Sequence, residues 1–253
     1  MQSYCPHRYI LKMRIDVTSY DQASNQVLAW ARDKVSHYIC VSNVHMCMET
    51  YDNREFCQIV NNADLVVPDG RPLVWGLNAL GEKGATQVRG SDLLLRLCEK
   101  AQISDIPIGL YGGKPDSLMD FISFLKMEFP SLKIPFFSAP PFRVLTQQEK
   151  DNHIDEIRAS GARILFVGIG CPKQEIWMAE HRDRINCTMI GVGAAFDFFS
   201  GRKKHAPRWM QEMGLEWMFR LASDPKRLWK RYLKHNPRFV YHFGKQLLRE
   251  RIF

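Results

Sequence analysis

No apolar run in the chain reaches the roughly 18 residues that a membrane-spanning helix needs. The opening residues, Met-Gln-Ser-Tyr-Cys-Pro-His-Arg-Tyr-Ile, lack the continuous apolar segment of a secretory leader. The expected location is therefore the cytoplasm, free or on the inner face of the cell membrane. Internal repeats and low-complexity tracts are absent too. The 7 cysteines (Cys5, Cys40, Cys47, Cys57, Cys98, Cys171, Cys187) form no Cys-x-x-Cys pair and have no histidine at zinc spacing. That pattern speaks against finger and ribbon sites and for reduced, mostly buried thiols, with no metal expected. Neither the dinucleotide fingerprint Gly-x-Gly-x-x-Gly nor a Walker loop occurs.

What the chain does have is a one-sided charge distribution. Residues 202–253 hold 14 Lys/Arg against 4 Asp/Glu, whereas residues 1–201 hold 21 against 23, so the net +8 belongs to the C-terminal segment. Trp209, Trp217, Trp229, Tyr232, Phe239 and Tyr241 are interleaved with these charges. A basic, aromatic stretch suits a membrane surface, a nucleic acid backbone or a phosphorylated ligand. Ser223-Asp224-Pro225 is a helix start. Beyond it Arg227, Lys230, Arg231 and Lys234 share one face, with Trp229, Tyr232 and Leu233 on the other side. One such helix would ordinarily be a solvated face. The preceding Arg202, Lys203, Lys204, Arg208 and Arg220 extend the charge and favour an anionic surface, where each basic residue contributes about 1 kcal/mol.

The first 201 residues read as strand and helix in alternation. Tyr38–Val41, Leu65–Val67, Ile108–Tyr111, Ile164–Val167 and Met189–Val192 are short, continuous apolar runs, as expected of parallel strands covered on both faces. Residues 24–34, 91–102, 115–129, 147–160 and 173–184 carry helical spacing. The expected architecture is an α/β, Rossmann-like layered sheet, mostly parallel, with helices on both faces and a basic helical C-terminal appendage. Residues 1–201 would form the catalytic domain and residues 202–253 the appendage.

In such a sheet ligands bind beyond the carboxyl ends of the strands. Pro68-Asp69-Gly70-Arg71-Pro72 follows the second run. Asp69 is either a carboxylate held at the crevice, able to act as a base, or an ordinary Asp-Gly turn, which spacing alone favours. Gly112-Gly113-Lys114-Pro115 and Gly168-Ile169-Gly170-Cys171-Pro172-Lys173 are glycine turns feeding helix starts, where amides and the helix dipole favour phosphate. Gln174 and Glu175 are either ribose or base contacts or ordinary helix-start polarity. Asp197, set among phenylalanines, needs a partner if it is buried.

Val66 to Pro72, Gly90-Ser91-Asp92-Leu93, Gly112-Gly113, Val167 to Glu175, Gly193 to Gly201, Ala206 to Gln211 and Gly214 to Tyr232 together resemble, in order, the WecG/TagA/CpsF glycosyltransferases (family 26). The resemblance covers nearly the whole chain. It implies an inverting, metal-independent, cofactor-free transfer from a UDP-sugar to a polyprenyl-diphosphate-linked saccharide at the inner membrane face, with N-acetylmannosamine or a related hexose as donor sugar. The family's base falls on Asp69 and its active-site asparagine on Asn43. Nucleotide-sugar contacts are implied at Gly112, Gly113, Gln174, Glu175 and Asp197, and diphosphate or acceptor contacts at Arg89, Arg220, Arg227 and Lys230. The family's tail docks on the membrane and closes the site, often with a change of oligomeric state, so a homo-oligomer joins the expected partners and nucleic acid does not. Val41 replaces a common threonine, and Gln87-Val88-Arg89-Gly90 displaces an arginine by two positions; both departures bear on the sugar. The rival readings are an NAD-dependent oxidoreductase, disfavoured by the missing fingerprint, and a non-enzymatic binder of anionic lipid or nucleic acid.

Overall fold

The computed structural model describes residues 6–199, 201 and 205–252. Cys5, Arg202, Lys203 and Lys204 lie outside the described residues. In chain order the elements are β1 (His7–Ile10), β2 (Met13–Asp16), α1 (Tyr20–Asp33), β3 (His37–Ser42), α2 (Val44–Asp52), α3 (Arg54–Asn61), β4 (Leu65–Pro68), α4 (Arg71–Ala79), α5 (Gly90–Ile103) and β5 (Ile108–Gly112). There follow α6 (Pro115–Glu128), β6 (Phe136–Ser138), α7 (Gln147–Ser160), β7 (Ile164–Gly168), α8 (Lys173–His181), β8 (Thr188–Gly191), α9 (Ala195–Phe199), α10 (Arg208–Glu212), α11 (Glu216–Ser223) and α12 (Pro225–Ile252). Six parallel strands form a sheet in the order β4-β3-β8-β7-β5-β6, with helices flanking it, which is the Rossmann-like layering the apolar runs imply.

The chain divides into two units. The first comprises the described parts of Met1–Tyr20, Val41–Arg89 and His205–Phe253; the second comprises those of Asp21–Cys40 and Gly90–Lys204. β3 passes from the second into the first.

In the first unit β1 and β2 form an antiparallel hairpin with His7 opposite Asp16 and Ile10 opposite Met13. The chain is thus a paired strand from His7 onward. The reason is burial: Ile10, Met13 and Ile15 are fully inside. The Asp16 carboxylate, buried against the core, accepts from the Val66 amide at 2.7 Å and from Arg14 at 3.0 Å. Burial raises its pKa, while the Arg14 charge and the Val66 amide oppose that rise. The long helix α12 turns Leu228, His235, Phe239 and Phe243 inward at helical spacing. Arg238 holds Asp52 through two hydrogen bonds, and Gln246 bonds Leu11 N and Tyr9 O, so the helix is tied to α2 and to the hairpin.

In the second unit β5 pairs with β6 and β7, β7 with β8, and β8 with residues 37–40 of β3, all parallel. Phe121 and Phe124 of α6 stack on Phe196 and Phe199 of α9. α7 carries a capping box between Thr146 and Glu149 and ends at Gly161 in the left-handed region, so local chemistry alone defines both of its ends. The cysteines Cys40, Cys47, Cys57, Cys98 and Cys187 are buried free thiols, and desolvation raises the pKa of Cys47, Cys98 and Cys187.

Gly112 closes β5 at φ 123°, and a Cβ there would lie 2.5 Å from the Gly168 carbonyl carbon. Both the dihedral and the space exclude a side chain. Gly112→Ala is expected to destabilise the protein by more than about 1 kcal/mol, read as a lower urea midpoint at unchanged m-value; an unshifted midpoint would refute the packing argument.

Candidate active site

In the first unit the carboxyl ends of β3 and β4 are pinned together. The Ser42 carbonyl accepts from both Asp69 N (2.8 Å) and Gly70 N (3.1 Å), and the buried Ser42 hydroxyl donates to Val67 O at 2.7 Å. A Cβ on Gly70 would lie 3.3 Å from Asn43, so the two strand ends touch where no side chain intervenes. From the other side Gln87 Nε2 donates to the Asp69 carbonyl at 2.6 Å, and Val88 N donates to Pro68 O. The Asp69 backbone is therefore held by its own amide and its own carbonyl, and the carboxylate sits on a fixed pedestal. Asn43 caps α2, its Oδ1 accepting from Met46 N at 3.2 Å.

Asp69 and Asn43 both line a cavity of about 620 Å³, the size of a small-molecule site. Gln87, Arg220, Arg231 and His235 share its wall. Arg220 is in an ion pair with Glu216, which also lines the cavity. Of the other cations the sequence singles out, Arg227 pairs with Asp224 at 2.6 Å and is exposed, as is Lys230, which lies over the Trp229 ring. Arg89 is half-buried, its amide donating to the Tyr20 hydroxyl at 3.0 Å. Arg231 replaces them at the cavity because it lies on the same stripe of α12 as buried His235 and Phe239. Sequence reasoning placed Arg231 with Arg227, Lys230 and Lys234 on a basic face toward an anionic surface, named Gln87 only within Gln87-Val88-Arg89-Gly90, and did not single out His235.

The described residues also bring His45, Glu49 and His235 together. Glu49 Oε1 lies 3.8 Å from His45 Nδ1 and 3.4 Å from His235 Nε2, and the ligand atoms of all three lie within 4.8 Å of one another. Two imidazoles and a carboxylate are a donor set that suits a divalent transition metal. Burial lowers the His235 pKa, opposed by Glu49, which favours the neutral ring such a ligand requires. The only sequence signal was the four-residue spacing of His45 and Glu49.

The second unit gathers the turns after β5, β7 and β8. Gly113 N donates to Gly168 O at 3.1 Å. Gln174 Oε1 accepts from Gly170 N and Gly193 N, each at 3.1 Å, while its Nε2 donates to Glu175 Oε1 at 2.7 Å. Gly191 makes room for this amide, since a Cβ there would lie 2.8 Å from Gln174 Nε2. Both Gln174 and Glu175 are buried, and the pair braces the β7 and β8 turns from within. Burial pushes Glu175 up to about 7, against the opposing hydrogen bonds from Gln174 and Cys171. Asp197 is half-buried at the start of α9.

The profile of the Glycosyl transferase WecG/TagA/CpsF family matches residues 8–252 of this chain. An N-acetylglucosaminyldiphosphoundecaprenol N-acetyl-beta-D-mannosaminyltransferase from Bacillus spizizenii is 30% identical over 204 residues, covering 80% of this chain and 77% of that protein.

Because Glu175 binds its proton more tightly when folded, stability is greatest below its ordinary carboxylate pKa and is lost as pH rises from 4.5 to about 7. Glu175→Gln should flatten that loss, so that urea titrations at pH 8 find the variant the more stable of the two while the difference narrows or reverses at pH 4.5. An equal gap at both pH values would show that Glu175 does not titrate in this window.

Proposed function

Because the chain belongs to the WecG/TagA/CpsF family of glycosyltransferases, we propose that it moves a hexose from a UDP-sugar to a saccharide carried on a polyprenyl diphosphate, with Asp69 as the general base. The observation that carries this reading is the meeting of Asp69, Asn43, Arg220 and Arg231 on one cavity wall. Such a cavity offers an anion-compensating end, a rigid carboxylate and room for a small head group. The Bacillus relative, whose name specifies a diphosphoundecaprenol-linked acceptor, supports that acceptor class.

In this reaction the Asp69 carboxylate takes the proton of the acceptor hydroxyl. The freed oxygen pair forms the new bond to the anomeric carbon, the bond from that carbon to the UDP oxygen breaks, and UDP leaves with its electron pair. A single displacement inverts the anomeric configuration. Arg220 and Arg231 lower the cost of diphosphate charge, the role that preorganised cations play at a leaving group or anchored acceptor. The nucleotide is assigned to the glycine turns of the second unit. There the Gly112-Gly113 turn packs closely on Gly168 and Phe196 and offers its backbone to the phosphates, Asp197 offers a carboxylate to a ribose hydroxyl, and Gln174 and Glu175 hold the turns in shape.

The tail supports attachment to an anionic membrane. No described helix is long and apolar enough to cross one. On α12, however, Arg227, Lys230 and Lys234 stand among exposed Trp229, Leu233 and Tyr241, an interfacial pattern.

Release of UDP from a panel of UDP-hexoses, with and without polyprenyl-diphosphate-linked monosaccharide, tests the reaction. Acceptor-dependent release from one donor is expected, and Asp69→Asn should lower kcat by about 10²–10⁴-fold while UDP still binds in calorimetry. Full activity in the variant removes Asp69 as base. For the tail, Arg227→Gln combined with Lys230→Gln should weaken partition onto anionic vesicles about 30-fold at low salt, an effect that high salt erases; equal partition onto neutral vesicles would reject the electrostatic docking.

A further inference from the structure

The cavity changes character along its length, and three helices of the first unit set the direction. α12 contributes Arg231, Tyr232, His235 and Asn236 from its first half and Phe239, Val240, Phe243, Gly244 and Leu247 from its second. From Arg231 to Leu247 this lining stripe runs about 24 Å. α4 grades the same way, with Arg71 at its start and Trp75, Gly76 and Ala79 beyond.

The polar ends coincide. At the start of α2, the His45 ring lies tilted against His235 with centroids 5.0 Å apart, and further on Tyr51 meets His242. At the start of α4, Gly70 adjoins Asn43, and further on a Cβ at Gly76 would lie 3.1 Å from Phe243. Both helices thus leave the Asp69 end and run alongside α12 toward its apolar half.

The far part of the cavity offers little besides hydrocarbon. A peptide lying there would bring backbone amides and carbonyls with almost nothing to bond, at a cost of about 1–3 kcal/mol for each unmet group. A hydrocarbon chain brings none. At its rim Trp75 is 52% exposed and Val240 70% exposed, so this end is open to the outside. Gly244 lines it, and a Cβ at Gly244 would meet nothing within 4 Å.

We propose that the slot between α4 and the second half of α12 seats the first isoprene units of the acceptor's polyprenyl chain, with the diphosphate toward Arg231 and Arg220 and the sugar hydroxyl toward Asp69. This rests on the acceptor reading above and adds to it a site for the lipid itself. The slot then acts as a ruler. Hydrocarbon laid along it fixes how far the diphosphate reaches, and so presents the terminal sugar at the carboxylate.

The test compares two acceptors with the same diphosphate-linked sugar in mixed micelles, one on a long polyprenyl chain and one on an alkyl chain of a few carbons. The wild type should favour the long chain in kcat/KM. Gly244→Phe, whose ring would fill the open space, should collapse that long-over-short ratio by about tenfold or more, equivalent to about 1.4 kcal/mol of lost lipid binding. Val240→Gln is the second variant, should Gly244→Phe melt early, and should lower the ratio in the same direction. No chain-length preference in the wild type, or a preference that both folded variants retain, overturns the slot. Absence of transfer to either acceptor overturns the acceptor reading and the slot with it. Independently of turnover, a photoreactive geranylgeranyl diphosphate should label α4 and residues 239–247; label confined elsewhere overturns the assignment.

Discussion

The Ser42 carbonyl is the hinge pin of the first unit. Two amides, those of Asp69 and Gly70, converge on its oxygen, and a buried carbonyl has two lone pairs to satisfy. This single acceptor determines where β3 and β4 stop relative to each other. α2 starts at Val44 behind its cap Asn43, and α4 starts at Arg71 behind its cap Gly70, each within two residues of its pinned end. The direction of both helices, the placement of Asp69 and the course of the cavity between α4 and α12 all follow from that local agreement. Asp69 needs little help from its own side chain to stay in place.

The basic excess of the tail resolves into two roles once the helix is folded. Arg227, Lys230 and Lys234 face water, whereas Arg231 faces the cavity and His235 is buried beside Glu49. A charge count treats these residues alike. Burial separates them, because an outward lysine meets a screened environment and an inward arginine acts at short range in a lower dielectric.

Much of the sheet is legible in the sequence, for a physical reason. β3, β4, β5, β7 and β8 are covered on both faces, so each appears as a continuous apolar run. β1 has only Ile10 fully buried, with Arg8 and Tyr9 outward, and β6 is a three-residue edge strand with Phe137 half out; neither carries a pattern distinct from a loop. α7 was readable to both ends because its caps are local. The site was less so. Nothing local distinguishes Asp69 from a common Asp-Gly turn, since its partners Ser42 and Gln87 are far away in sequence, and the resemblance to a known family supplied what periodicity could not. Gln174 and Glu175 looked like polar helix-start residues, yet both lie inward, where Gln174 joins the Gly170 turn to Gly193, 19 residues beyond itself in the chain.

One helix carries both the polar and the apolar stretches of the cavity lining, which constrains how the C-terminal region can diverge. Each residue inserted or deleted within α12 rotates everything after it by about 100° and shifts it by about 1.5 Å. A single-residue change in length between Asn236 and Phe239 would swing Phe239, Phe243 and Leu247 off the stripe while Arg231 and His235 stayed. Substitutions can drift along this helix, but changes of length are viable only in steps near a whole turn. The spacing between charge and grease, more than the identity of either, is what descent must preserve.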